Sequence, residues 1–309
     1  MKKSVTIFVF LFFTVSLFGQ KSEMIFNNPK DSLINNYLIF YPTESTYKGF
    51  LILLHEYGGK GEYIPYQTEL PRIAAENGIL TIMPTLKTGS FYFGIDSLSQ
   101  SSLDDFIFTI QEKFNLVKTN FYLGGFSIGG SAAVKYAQRA SENLALRKPD
   151  VIFAIDPPLD FERLYKSMQR ELRLSPDSNS NIFRANFIKR IENEMSGKPS
   201  EVSNNYISLS PYSFGDQFQN GVSKLKNIPV RIITEPEIEW RLRERNTDYY
   251  STNSIDCAAF INELNLKGNK NAILVTTIDK GYRKANNIKN PHSWSIADPV
   301  ETIEWLLKY

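Results

Sequence analysis

Phe121-Tyr122-Leu123-Gly124-Gly125-Phe126-Ser127-Ile128-Gly129-Gly130 is entered by a short apolar run and left by the Ala- and Val-rich stretch Ser131 to Ala140. A serine set in Gly-x-Ser-x-Gly between a strand and a helix is forced into a sparsely allowed backbone conformation. The positions two before and two after it must lack bulk so that strand and helix can approach. Gly125 and Gly129 meet that need, and Gly130 relaxes it further. Ser127 is thereby a candidate nucleophile.

On either side of this turn, strand-like and helix-like segments alternate. Tyr37 to Tyr41, Phe50 to Leu54, Ile79 to Met83, Phe121 to Leu123, Val151 to Ile155, Val230 to Ile233 and Ala272 to Thr277 are mostly apolar throughout, as strands buried on both faces are. Thr68 to Asn77, Leu103 to Phe114, Ser131 to Ala140, Asp256 to Leu266 and Val300 to Leu307 carry helical spacing. Asp298-Pro299 starts the last of these with an acidic cap and a proline in the first turn. The alternation predicts an α/β fold, a mostly parallel sheet flanked by helices.

One interval breaks the rhythm. Ile155 and Val230 are separated by about 75 residues, where a crossover between parallel strands needs only about a dozen. Phe161 to Leu172 and Asn181 to Met195 are amphipathic and helical in spacing, and Asp177-Ser178-Asn179-Ser180 between them reads as a polar loop. This predicts a helical cap inserted over about residues 160–226, with too little apolar content to build a core of its own.

The amino terminus has the order of a secretory signal: Met1-Lys2-Lys3, the apolar stretch Val5 to Phe18, then Gly19. Its apolar part, ~14 residues, falls short of the ~20 that span a bilayer. The expectation is a leader over residues 1–19, a secreted or periplasmic domain over 20–309, and no membrane span in the mature chain. Loss of Lys2 and Lys3 takes the formal charge from +2 to 2 − 2 = 0, which favours neither nucleic acid nor an anionic membrane as partner. With a single cysteine, Cys257, an exported chain must be held by its core and not by disulfides.

A serine hydroxyl needs a base within hydrogen-bond reach and a third group to hold that base in the right tautomer. Only two histidines are available. His292 lies after the last strand-like run, in Asn290-Pro291-His292-Ser293-Trp294, and His55 ends the second, in Leu54-His55-Glu56-Tyr57-Gly58-Gly59. The order of serine turn, post-strand loop and late histidine resembles the α/β-hydrolase fold superfamily over nearly the whole mature chain. The resemblance implies Ser127 as nucleophile and His292 as general base and then acid, with the backbone N–H groups of Ile128 and Tyr57 binding the oxyanion. It gives His55 a structural role in shaping the loop, although this chain has Glu56 where the family commonly has glycine.

Family order also places the acid a few residues after the run Val230 to Ile233, in Thr234-Glu235-Pro236-Glu237-Ile238-Glu239-Trp240. Glu237 fits that count best. Glu239 and Asp248 are next, Glu235 sits close to the strand, and Asp156 serves in the rarer variant that draws its acid one strand earlier. Neither a metal nor a cofactor is implied: histidines are not paired at helical spacing, cysteines do not cluster, and Gly58-Gly59-Lys60-Gly61 lacks the flanks of a phosphate loop. Aromatic residues collect where a pocket is expected, among them Tyr57, Tyr63, Phe91, Phe93, Trp240 and Trp294, with Tyr206 and Tyr212 in the insertion.

The function this implies is a secreted serine hydrolase cleaving a carboxylic ester, of a small molecule or a carbohydrate, through an acyl-enzyme on Ser127. The same chemistry serves acyl transfer or peptide cleavage, and the same scaffold serves an inactive ligand-binding homologue.

Overall fold

The computed structural model describes residues 20–27, 30, 33–44, 46–174 and 178–309. The expected leader at 1–19 lies outside the described residues. The strands are β1 (Ser22–Phe26), β2 (Asn36–Phe40), β3 (Gly49–Leu54), β4 (Ile79–Thr85), β5 (Asn120–Phe126), β6 (Val151–Ile155), β7 (Val230–Thr234) and β8 (Ala272–Thr276), with a small hairpin of β9 (Tyr282–Arg283) and β10 (Ile288–Lys289). The helices are α1 (Leu70–Glu76), α2 (Ser97–Phe114), α3 (Ile128–Ala140), α4 (Phe161–Leu174), α5 (Ser178–Met195), α6 (Ser203–Leu209), α7 (Asn220–Ser223), α8 (Ile238–Arg245), α9 (Ser254–Leu266) and α10 (Pro299–Leu306).

β1 to β8 form one sheet in the order β1-β2-β4-β3-β5-β6-β7-β8. Pairing is antiparallel for β1 with β2 and β2 with β4, and parallel from β4 onward. The wholly apolar strands follow from burial on both faces, since successive side chains point to opposite layers. Phe50, Ile52 and Leu54 of β3 join Phe121 and Leu123 of β5 in a core shared with α2, α3 and α9. Their neighbours Leu51, Leu53 and Tyr122 face the other way, onto α1 and α10.

Several expected boundaries move. α2 starts at Ser97 and not near Leu103, because Asp96 caps it by accepting the N–H of Ser99 at 2.8 Å. The edge strand β1 carries no sustained apolar pattern, and its residues are half-buried or exposed. In the interval between β6 and β7, residues Ser178 to Ser180 form the first turn of α5 and not a loop; Asp177 lies outside the described residues.

The helices of that interval pack over the loops at the carboxyl edge of the sheet. Phe161, Leu164, Phe187, Ile191 and Tyr206 share a cluster with Phe93, Ile95 and Ile128, and Tyr57 packs against it. The root of α4 is tied to the sheet layer by a buried ion pair. Arg163 donates from Nε and Nη2 to the two oxygens of Asp256 at 2.5 and 2.7 Å. Asp256 also accepts the N–H groups of Leu159 and Asp160 at 3.2 Å each.

The carboxyl ends of the central strands are level, with Leu54 beside Gly125, Phe126 beside Ile155, and Ile155 beside Ile233. α3 starts directly above them. A Cβ at Gly129 would lie 2.3 Å from the carbonyl oxygen of Leu54 and 2.6 Å from that of His55. One at Gly125 would lie 2.5 Å from the carbonyl carbon of Gly129. Gly129→Ala is therefore expected to lower stability by about 2–4 kcal/mol, since backbone and not a flexible side chain must yield. Gly215→Ala, where a Cβ meets only ordinary contacts at 3.4 Å and beyond, serves as the control and should change it by less than about 1 kcal/mol. Urea unfolding of the two variants reads the difference, and equal midpoints would contradict it.

Candidate active site

Ser127 stands at the junction of β5 and α3 with φ 54° and ψ −124°. A non-glycine residue is held in such a conformation only where its surroundings over-determine it. Here the N–H of Ser127 donates to Ile155 O at 2.8 Å, and Ser127 O accepts from Gly130 and Ser131. The side chain is thereby aimed away from the sheet.

His292 meets it. Nε2 of His292 lies 3.0 Å from Ser127 Oγ, and Nδ1 lies 2.6 Å from Asp156 Oδ2. With a carboxylate on one side, Nδ1 carries the proton and donates to Asp156, which leaves Nε2 to accept from the serine hydroxyl. The imidazole also packs on Phe126, ring centroids 4.7 Å apart. Asn290 fixes its main chain by donating to His292 O at 2.8 Å.

The carboxylate that meets His292 is Asp156, and not Glu237. Asp156 follows β6, turns at φ 44°, and is 1 % exposed. Its N–H donates to Ile233 O at 2.7 Å, Thr234 Oγ1 donates to its Oδ1 at 2.8 Å, and Asn253 Nδ2 donates to its carbonyl at 2.9 Å. Burial works to raise the pKa of this carboxyl. The hydrogen bond and charge of His292, the charge of Arg241 and the Thr234 hydroxyl outweigh that and hold it below the usual carboxylate range.

Each acid expected after β7 has other work. Glu237 accepts the N–H of Asp279 at 2.7 Å and pairs with Lys289 at 3.3 Å. Glu235 is fully buried and accepts from Thr277 Oγ1 and from the N–H groups of Lys280 and Gly281, at 2.8–2.9 Å, so it pins the chain that leads from β8 toward His292. Glu239 is exposed beside Arg243, and Asp248 makes a paired bond to Arg170 at 2.8 and 2.5 Å. β6 is the immediate neighbour of β5 in the sheet and β7 lies one strand further, so the end of β6 brings a carboxylate within reach of His292.

No protein-family model matches the chain, and no curated protein matches it. Solved structures do. The fluorophosphonate-binding serine hydrolase F (FphF) of Staphylococcus aureus superposes with TM-score 0.52 at 14 % identity, over 93 % of this chain and 98 % of that one. A Pyrobaculum calidifontis esterase gives TM-score 0.56 at 14 % identity, over 93 % and 83 %. A Pyrococcus horikoshii acylaminoacyl peptidase gives TM-score 0.56 at 12 % identity, over 94 % of this chain and 40 % of that one. The chain has the α/β-hydrolase fold.

Within that α/β-hydrolase fold, Ser127, Asp156 and His292 line one cavity of about 780 Å³, together with Tyr57 and Ile128. Ile128 is the first residue of α3, where a helix N–H has no partner in the helix's own ladder. His55 is buried beneath the loop, with Nδ1 donating to Glu56 O at 2.8 Å and its carbonyl accepting from Tyr92 Oη at 3.0 Å. Burial pushes its pKa down.

Glu56 ties this loop to two distant segments, accepting from Gln67 Nε2 at 3.0 Å and Trp294 Nε1 at 3.3 Å. That role has no counterpart in the sequence reading, because its partners are joined only by the fold. Of the aromatic residues expected around a pocket, Tyr57 and Trp240 line the cavity, while Phe93, Tyr206, Tyr212 and Trp294 are buried in packing. Among the described residues no group of three or more His, Cys, Asp or Glu could hold a metal ion, and no helix is long and apolar enough to cross a membrane.

The lowered pKa of Asp156 has a signed consequence for stability. A carboxyl whose folded value lies below its ordinary 3.8 contributes fully above that value, and the contribution is lost as pH falls through the folded value. Asp156→Asn is expected to cost about 2 kcal/mol near neutral pH. The gap to wild type should narrow below about pH 4. Urea unfolding across acid to neutral pH tests this, and a gap that widens toward acid would refute it.

Proposed function

We propose that the protein is a serine hydrolase that cleaves a carboxylic ester through an acyl-enzyme on Ser127. The observation that carries this is the pair of hydrogen bonds Ser127 Oγ to His292 Nε2 at 3.0 Å and His292 Nδ1 to Asp156 at 2.6 Å, opening on a cavity. The esterase and serine hydrolase among the structures of like fold support the same chemistry.

In this reading Ser127 Oγ attacks the ester carbonyl as its proton passes to His292 Nε2. The Asp156 carboxylate keeps Nδ1 protonated and stabilises the imidazolium. The N–H groups of Ile128 and Tyr57 receive the negative charge that develops on the carbonyl oxygen, each such donor being worth about 3–4 kcal/mol in the transition state. Collapse of the tetrahedral intermediate breaks the C–O bond, and the imidazolium returns its proton to the leaving alkoxide. Water then repeats the sequence on the acyl-enzyme, releasing the acid and free Ser127.

The substrate class is a small-molecule or carbohydrate ester, in keeping with the cavity volume. The charged, apolar and small-residue order of Met1 to Gly19 supports export to the periplasm or medium.

On short-chain aryl esters, Ser127→Ala and Asp156→Asn should each lower kcat/KM by about 10⁴-fold or more, and Glu237→Gln by no more than about threefold. A fluorophosphonate probe should label wild type and not Ser127→Ala. Equal activity or labelling in wild type and Ser127→Ala would remove the serine mechanism, and a large loss in Glu237→Gln would return the acid to the loop after β7.

A further inference from the structure

Three arginines on the cavity wall form no ion pair among the described residues. Arg241 and Arg245 come from α8, and Arg283 from β9. The carboxylates that share the cavity are already engaged. Glu171 pairs with Arg184 at 3.0 Å, Glu56 accepts from Gln67 and Trp294, and Asp156 accepts from His292 and Thr234. The surplus of charge in this space is positive.

The helical register makes the arrangement specific. Arg241 and Arg245 are four residues apart, so they share a face of α8, and like charges at that spacing destabilise a helix unless something compensates them. Arg243, on another face, has the opposite-charge neighbour Glu239 at 4.0 Å. The acid four residues before Arg241 is Glu237, which is held by Lys289 at 3.3 Å. Both guanidinium groups are instead steadied by uncharged partners, and neither forms an ion pair among the described residues. Arg241 Nε donates to Pro236 O at 2.7 Å, and Arg245 sits 5.3 Å from the centre of the Trp240 ring. The two terminal nitrogens of Arg241 keep donors in the fork geometry that matches a planar carboxylate. Arg241 is also close enough to the reacting groups for its charge to act on Asp156.

We propose that the substrate is an anionic ester, one whose acid or alcohol part carries a free carboxylate that binds Arg241 and Arg245, with Arg283 adding to the attraction. This rests on the hydrolase reading above and narrows it. The carboxylate supplies the counter-charge that α8 lacks, and it orients the ester toward Ser127. No covalent step beyond acyl transfer is added.

Two matched pairs of esters test it. One pair places the charge on the alcohol side, 4-butyryloxybenzoate against its methyl ester, and the other on the acyl side, 4-nitrophenyl hydrogen glutarate against 4-nitrophenyl methyl glutarate. In wild type the charged member of at least one pair should have kcat/KM about tenfold or more above its neutral partner. In Arg241→Gln/Arg245→Gln that ratio should fall at least about fivefold, and about 0.5 M NaCl should lower it in wild type. Use of the ratio cancels any effect of the substitutions on the reacting groups themselves.

Calorimetric binding of the same four compounds to Ser127→Ala gives a readout free of turnover, in which the preferred charged ester binds more tightly than its neutral partner. Neutral esters that equal or surpass the charged ones in both pairs, or a preference that survives the double substitution, would overturn the proposal. If wild type hydrolyses none of the four and Ser127 resists the fluorophosphonate, the hydrolase reading fails. The binding comparison with Ser127→Ala then still decides for or against the carboxylate site.

Discussion

The backbone-to-backbone approach of the first turn of α3 to the ends of β3 and β5 is the constraint on which the site depends. With nothing larger than hydrogen at Gly125 and Gly129, the carbonyls of Leu54 and His55 come close to the helix, and Ser127 is left no conformation but one with positive φ. That turn lifts the hydroxyl out of the sheet plane. It also sets the N–H of Ile128 at the mouth of a helix, where partial positive charge accumulates. A serine in the interior of either element would have its side chain packed and no donor beside it.

The imidazole of His292 is positioned in a different way. His292 belongs to a long connection after β8 that has little regular structure, and such a segment needs anchors to hold a ring within hydrogen-bond reach. Glu235 supplies one from inside the sheet edge by accepting three donors, and Glu237 and Lys289 supply another at the surface. Both acids thus act on the path of the chain and not on the imidazole. Asp156 takes the ring because strand adjacency puts it there, and a second layer made of Thr234 and Asn253 steadies it.

Much of this was legible in the residues. Seven of the eight strands of the main sheet show as apolar runs, the central ones because both faces of each are covered, and the serine turn shows because its steric demand is met by glycines only a few positions away. What the residues conceal is adjacency. Family order pointed to Glu237, while the contact of Asp156 with His292 depends on β6 lying next to β5, a fact of sheet order across more than a hundred residues of chain. The tetrad Ile155-Asp156-Pro157-Pro158 did hold a sign, since two prolines stop the strand at the carboxylate. Glu56 left none, because Gln67 and Trp294 meet it only after folding. β1 escaped notice for the opposite reason: an edge strand that buries little writes no hydrophobic pattern.

Every group assigned to bond making lies outside α4 and α5, the two helices whose side chains roof the cavity. The serine turn and its roof therefore sit on separable lengths of polypeptide, but Ile128 and Tyr57 pack against the roof's apolar side chains, so any replacement must refill that cluster. Such a graft must keep a buried joint. Arg163, two residues into α4, neutralises the wholly buried Asp256, so a transplanted roof that omits an equivalent cation strands a charge in the interior and forfeits the fold along with the new specificity.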